Sequence, residues 1–150
     1  MDIWNQVIGG TKMIDAFKIA LKEYGVQEWT GDKHNPEVMK FFKDFPSITT
    51  DETSWCAAFV YWCIKEAGMI PKKSLAARDW LNWGEPVFDP EVGDIVIFYR
   101  GEPKGWQGHI GFYVKNDGSN IWVLGGNQSN EVCIDKYAGS RLLGYRRYKK

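Results

Sequence analysis

An α+β domain, with helices first and an antiparallel sheet second, is what this chain of 150 residues predicts. Three observations carry that expectation. Before residue 70, apolar residues recur at helical spacing behind plausible caps. After Pro86 the pattern turns to β-branched and aromatic runs. Turn residues then separate those runs where hairpins would reverse.

The elements follow in order. Positions 11–24 read as an amphipathic helix, because Met13, Phe17, Ala20, Leu21 and Tyr24 recur at three- and four-residue steps, and Gly25 stops it. Asn35-Pro36 starts a second helix through Val38, Phe41 and Phe42, ending near Pro46. Thr53 or Ser54 caps a third over roughly 55–67, closed by Gly68, with Asp51-Glu52 as partners of its N-terminal dipole. Arg78 to Gly84 reads as a short helix running into a loop. Five strands are then expected, at 94–99, 109–114, 121–124, 132–134 and 142–145, with Asn116-Asp117-Gly118 turning the second into the third. Asp94, after Gly93, is expected to shape the start of its strand. With no repeat, linker or low-complexity segment, residues 1–150 read as a single domain.

Composition limits the function. Nineteen basic residues balance nineteen acidic ones, so no global field draws the chain to nucleic acid or an anionic membrane. The basic cluster Arg146-Arg147-Tyr148-Lys149-Lys150 reads as a solvated end. Aromatics reach 15%, with eight Trp, more than a minimal core needs, so some are expected to line a groove. No apolar run approaches the ~18 residues of a membrane span. The start shows no secretory signal pattern, and three cysteines leave at least one thiol free. The expectation is a monomer made in the cytosol in reduced form.

The chemistry centres on Cys56 and His109. Cys56 falls at the start of the third helix, and His109 at the start of a strand. A helix N-terminus and a neighbouring imidazolium are the two usual ways to lower a thiol pKa. Cys63, two turns deeper on the same face, is expected to be core, and Cys133 a small buried hydrophobe. His34 is either a loop residue or part of the groove. A thiol hydrolase also needs a polar group to orient its imidazole. The run Gly125-Gly126-Asn127-Gln128 begins where the strand after His109 ends, which makes Asn127 the first candidate and Gln128 the second; the same residues also make an ordinary turn. Metal-ligand pairs, a Walker loop and a Gly-x-Ser-x-Gly elbow are all missing, so no metal or cofactor is expected.

Four stretches resemble papain-like cell-wall hydrolases of the NlpC/CHAP group. They are Trp55-Cys56-Ala57-Ala58-Phe59-Val60-x-Trp62-Cys63, Gly93-Asp94-Ile95-Val96-Ile97-Phe98, Gly108-His109-Ile110-Gly111-Phe112-Tyr113-Val114 and Val123 to Asn130. His34-Asn35-Pro36, Ala77 to Gly84 and Arg141 to Tyr145 are similar to a small branch found in phages and prophages. The resemblance spans about residues 12–147. It implies a papain-like α+β domain, N-terminal helices packed on a C-terminal antiparallel sheet, acting as a cysteine peptidase or amidase on peptidoglycan. Cys56 carries over as nucleophile, His109 as general base and acid, and Asn127 as the orienting group. Many CHAP domains have a Glu two residues before that Asn, where this chain has Gly125. Trp55, Trp80, Trp83, His34, Asn35 and Gln128 are the expected substrate-binding residues. The settings implied are a phage endolysin, a virion-associated lysin or an injected antibacterial effector, acting on the wall after release or delivery. A papain-like hydrolase or acyltransferase on another amide is the alternative.

Overall fold

Helix α1 (Thr11–Lys22) opens the computed structural model, which describes residues 11–31, 33–50 and 54–149. Met13, Ala16 and Ala20 face the core, whereas Leu21 and Tyr24 are exposed. The apolar stripe is therefore narrower than the sequence suggests, and Ala16 belongs to it. Helix α2 (Pro36–Met39) is one turn long and continues as a 3₁₀ turn over Lys40–Phe42. Asn35 caps it, its Oδ1 accepting from Glu37 N at 2.9 Å, while Pro36 fills a position that needs no donor.

Helix α3 (Cys56–Glu66) is the centre of the molecule. Eight of its residues are buried, because α1 and the Lys40–Phe42 turn cover it on one side and the sheet on the other. Its C-terminus is a Schellman motif at Gly68, where Met69 N donates to Ile64 O and Gly68 N to Lys65 O. Its N-terminus departs from expectation. Trp55 occupies the cap position without a side-chain capping bond, so the hydroxyl of Ser54 is left for another role. Thr53 and the Asp51-Glu52 pair lie outside the described residues.

A 3₁₀ segment, Ala77–Asn82, leads into the sheet. Its strands are β1 (Glu85–Val87), β2 (Ile95–Tyr99), β3 (Gly108–Asp117), β4 (Asn120–Gln128), β5 (Glu131–Ala138) and β6 (Leu142–Arg147). All neighbours are antiparallel, in the order β1-β6-β2-β3-β4-β5. The five expected strands are present, and β1 is an addition at the edge, too short to carry a pattern. The β3–β4 turn falls at Gly118-Ser119, slightly later than expected, because β3 pairs as far as Asp117 with Asn120. Ile95, Ile97, Ile110 and Phe112 pack toward the helices; Val96, Phe98, Tyr113, Val123 and Tyr145 form a smaller cluster apart from them.

Two tail arginines are structural and not solvated. Arg147 makes a bidentate pair with buried Asp94, both bonds 2.7 Å, and Asp94 also accepts from Glu91 N. This locks the start of β2 to the end of β6 and explains why Asp94 stands there. Arg146 donates to the carbonyls of Trp83 and Gly84.

Candidate active site

Cys56 is the first residue of α3, where backbone N–H groups lack intrahelical acceptors. Its thiol lies against the N–H groups of Ala57 and of Ile110, and beside the Ser54 hydroxyl. Ile110 follows His109 on β3, so the contact fixes the helix start on the histidine's strand. Close approach at Gly126 supports the same junction. A Cβ there would lie 2.8 Å from both Phe59 and the Trp55 ring, so only glycine lets β4 press against the start of α3.

His109 is fully buried, stacked on Tyr137 with ring centroids 4.8 Å apart. Its Nε2 lies 2.9 Å from Oε1 of Gln128. Gln128 is itself held, because its Nε2 donates to the carbonyls of Cys133 (2.8 Å) and Val123 (3.2 Å). With the amide oriented by those acceptors, Oε1 must face the histidine, and the imidazole must carry its proton on Nε2. The lone pair is therefore on Nδ1.

Gln128, not Asn127, is the residue that holds His109. Asn127 sits at φ +58° in the irregular stretch between Gly125 and Gln128, and its amide reaches only the Ser54 hydroxyl, at 3.4 Å. That bulge shifts the alternation of β4, turning Asn127 aside and Gln128 inward. Gly125 completes the arrangement. A Cβ at Gly125 would lie 2.4 Å from Gln128 Oε1, so glycine at this position leaves room for the Gln128 amide.

The electrostatics also differ from the lowered thiol pKa that a helix start and a neighbouring imidazolium would bring. Burial pushes the Cys56 thiol above its ordinary pKa, against the opposing influence of the Ile110 amide, Arg100, Ser54 and the Ala57 amide. Burial pulls His109 down to about 4, with Arg100 adding to the fall and the Gln128 bond resisting it. Both shifts favour the neutral forms, since desolvation of two buried groups outweighs the helix start. Cys63 is raised well above its ordinary value by burial, as a core thiol should be, and Cys133 is raised as well. Cys133 is more than a hydrophobe, because its thiol donates to Gln128 O at 3.4 Å.

Beside Cys56 opens a cavity of about 520 Å³, lined also by Ser54, Leu75, Ala77, Arg100 and Trp106. The expected groove tryptophans are not in it. Trp55 and Trp80 are fully buried and Trp83 nearly so. Trp80 and Trp83 direct their indole N–H groups to the Ser74 and Ile70 carbonyls, and Trp55 stacks on Phe41. Asn35 is a helix cap whose amide also donates to Gln27 O, and His34 Nδ1 meets the Thr50 hydroxyl at 3.4 Å; neither lines the cavity. The aromatic at the cavity is Trp106, 80% exposed in the β2–β3 loop. Arg78 holds that loop, its Nε donating to Gln107 O, Nη1 to Pro103 O and Nη2 to Glu102 O. Sequence could have marked Trp106 as an aromatic in a Gly- and Pro-rich loop, outside any apolar periodicity. Arg100 Nη2, 3.3 Å from His109 Nδ1, is the other residue missed; its signal was a cation directly after an apolar strand. Among the described residues no group of His, Cys, Asp and Glu could hold a metal ion.

A thiol at a helix start, held by the amide that follows a strand-borne imidazole, in this order of helices and sheet, defines a papain-like α+β domain. Residues 48–127 match the CHAP domain model, and the chain belongs to that family. No curated protein matches it in sequence. Among solved structures it is similar to a lipoprotein-like NLP/P60-family protein of Staphylococcus aureus, at 16% identity and TM-score 0.57, covering 93% of this chain and 42% of that one. It is also similar to the P60 domain of an antigen from Mycobacterium avium subspecies paratuberculosis, at 15% identity and TM-score 0.57, covering 94% and 96%. NlpC1 from Trichomonas vaginalis gives 17% identity and TM-score 0.54 over 90% and 44%. At these identities the likeness is one of fold. The chain spans less than half the length of the staphylococcal and trichomonad proteins.

Proposed function

We propose that this domain is a cysteine peptidase or amidase that cleaves an amide bond of peptidoglycan. The observation that supports it most is the held tautomer of His109, which leaves Nδ1 as its basic nitrogen in a site built on the CHAP fold. Nδ1 takes the Cys56 proton as the thiolate attacks the scissile carbonyl carbon. The Cys56 backbone N–H, at the head of α3, is one donor to the oxyanion. Collapse of the tetrahedral intermediate passes the Nδ1 proton to the leaving amine and leaves a thioester. Water then attacks the thioester, gives its proton to Nδ1 and releases the acid, and the thiol recovers its proton. No step calls for a cofactor.

The finer reading is an endolysin, or a related lytic protein acting at the cell wall, supported by the likeness of its motifs to the phage and prophage branch. Either the muramoyl–L-alanine bond or a bond within the stem peptide fits this chemistry. The test is mass spectrometry of muropeptides released from purified walls. We expect new amino termini from amide cleavage, and a loss of about a thousandfold or more with Cys56→Ala. Undiminished release by the Cys56→Ala protein, or products cut at glycosidic bonds, overturns the proposal.

A further inference from the structure

Arg100 stands apart from Arg78, Arg146 and Arg147. Arg78 is saturated by three carbonyls, Arg146 by two and Arg147 by Asp94. Arg100 is exposed, has no ion-pair partner among the described residues, and commits one guanidinium nitrogen to the ring nitrogen of His109. It is also the only charged side chain among the described residues lining the Cys56 cavity. His109 does not reach that cavity; it is fully buried, with Arg100 at its one remaining nitrogen.

We propose that Arg100 is the carboxylate-recognising residue of this site, and that it covers the basic nitrogen of His109 until an acidic substrate draws it away. The proposal rests on the amide-hydrolase reading above and adds a substrate class: amides flanked by a free carboxylate. The comparison of bonds supports it. A guanidinium donating to a neutral imidazole at 3.3 Å makes one long hydrogen bond, whereas a carboxylate offers two charge-assisted ones in a matching fork. The exchange is favourable, and it frees Nδ1 for the Cys56 proton at the moment the substrate arrives. An uncharged substrate would have to displace Arg100 without that compensation. Recognition and unmasking of the base are thereby one movement of one side chain.

Alkylation of Cys56 tests this without any wall substrate. Iodoacetate and iodoacetamide differ by the carboxylate alone, so the ratio of their rate constants at Cys56 reads recognition. Arg100→Met is expected to lower that ratio about tenfold or more, the contribution of a charge-assisted hydrogen bond, and Arg100→Lys to keep part of it. An unchanged ratio in Arg100→Met overturns the proposal. In a second arm, matched stem peptides carry their side-chain or terminal carboxylates free or amidated, one at a time. The wild type should prefer one free carboxylate in kcat/KM, which identifies its source, and Arg100→Met should lose that preference. Equal losses on free and amidated peptides would assign Arg100 a structural role instead. If the alkylation ratio responds but no stem peptide is cut, the peptidoglycan reading fails and the carboxylate site stands.

Discussion

The two walls of the Cys56 site are built on opposite principles. The β3–β4 wall is buried and saturated: His109 is stacked on Tyr137, held by Gln128, and Gln128 is held by two carbonyls. The β2–β3 wall is exposed, and its loop hangs on the carbonyl bonds of Arg78, leaving Arg100 and Trp106 open to solvent. On the proposed function, the difference separates chemistry from recognition. A proton must be moved between atoms fixed to within a fraction of an ångström, which calls for a network with every partner satisfied. A substrate must be met and exchanged, which calls for groups whose partners it can replace. Each wall should therefore fail in its own way when altered.

The largest effect is expected where the buried wall loses its anchor. Gln128→Ala removes the acceptor that fixes the His109 tautomer and leaves the carbonyls of Val123 and Cys133 without their donor. Turnover should fall about a thousandfold, between the cost of one lost transition-state hydrogen bond and that of a wrong-tautomer triad. Thermal denaturation should show a loss of about 2 kcal/mol or more. Asn127→Ala, one residue away, should stay within a few-fold of wild type, because its single contact is a long bond to Ser54. Comparable losses in the two variants would erase the distinction between these neighbours.

A smaller effect concerns proton uptake by the same wall. Unfolded, His109 binds a proton near its ordinary value of 6.5; folded, burial first and Arg100 second hold it to about 4. Between those values the unfolded chain binds more protons, so stability drops as pH falls from about 6.5 toward 4, by about 3 kcal/mol in all. Above 6.5 the histidine adds no pH dependence. Other groups titrate in this range too, so the informative quantity is the difference in urea midpoints between wild type and His109→Gln. That difference should narrow on acidification, since the variant lacks the buried base. Parallel midpoints from pH 7 to pH 4 would mean that His109 is not the buried neutral group described.

The two walls were also unequally legible in the sequence. Cys56 and His109 stood out because a helix start and a strand start are readable from caps and β-branched runs. The choice between Asn127 and Gln128 was not, since it turns on a bulge that shifts the alternation of β4, and the Gly-Gly pair permitting it also reads as a plain turn. The tryptophans misled for a related reason. Spacing does not distinguish an indole that stacks inside, as Trp55 does on Phe41, from one that lines a groove. The upward shift of Cys56 and the downward shift of His109 were hidden as well, because pKa follows burial, and burial depends on elements far apart in the chain. The helices-then-sheet order was readable because periodicity is a local property; β1, three residues long, was below that threshold.

The smallest predicted effect probes the open wall. Trp106 is 80% exposed, so its side chain contributes little to folding, and Trp106→Ala should leave the melting temperature nearly unchanged. If its face supports substrate across the cavity from Cys56, losing it should raise KM about fivefold, near 1 kcal/mol of contact, with kcat held. Trp80→Ala makes the opposite demand. Its fully buried indole should cost about 3–5 kcal/mol of stability, while substrate affinity per folded molecule stays put. Paired melting curves and steady-state kinetics on one soluble stem peptide give all four numbers. A Trp106→Ala protein that melts many degrees lower, or one with unaltered KM, would move this residue out of the recognition wall. The contrast holds only if burial separates the tryptophans by role, so that the hidden ones support the site through the fold and the exposed one meets what enters it.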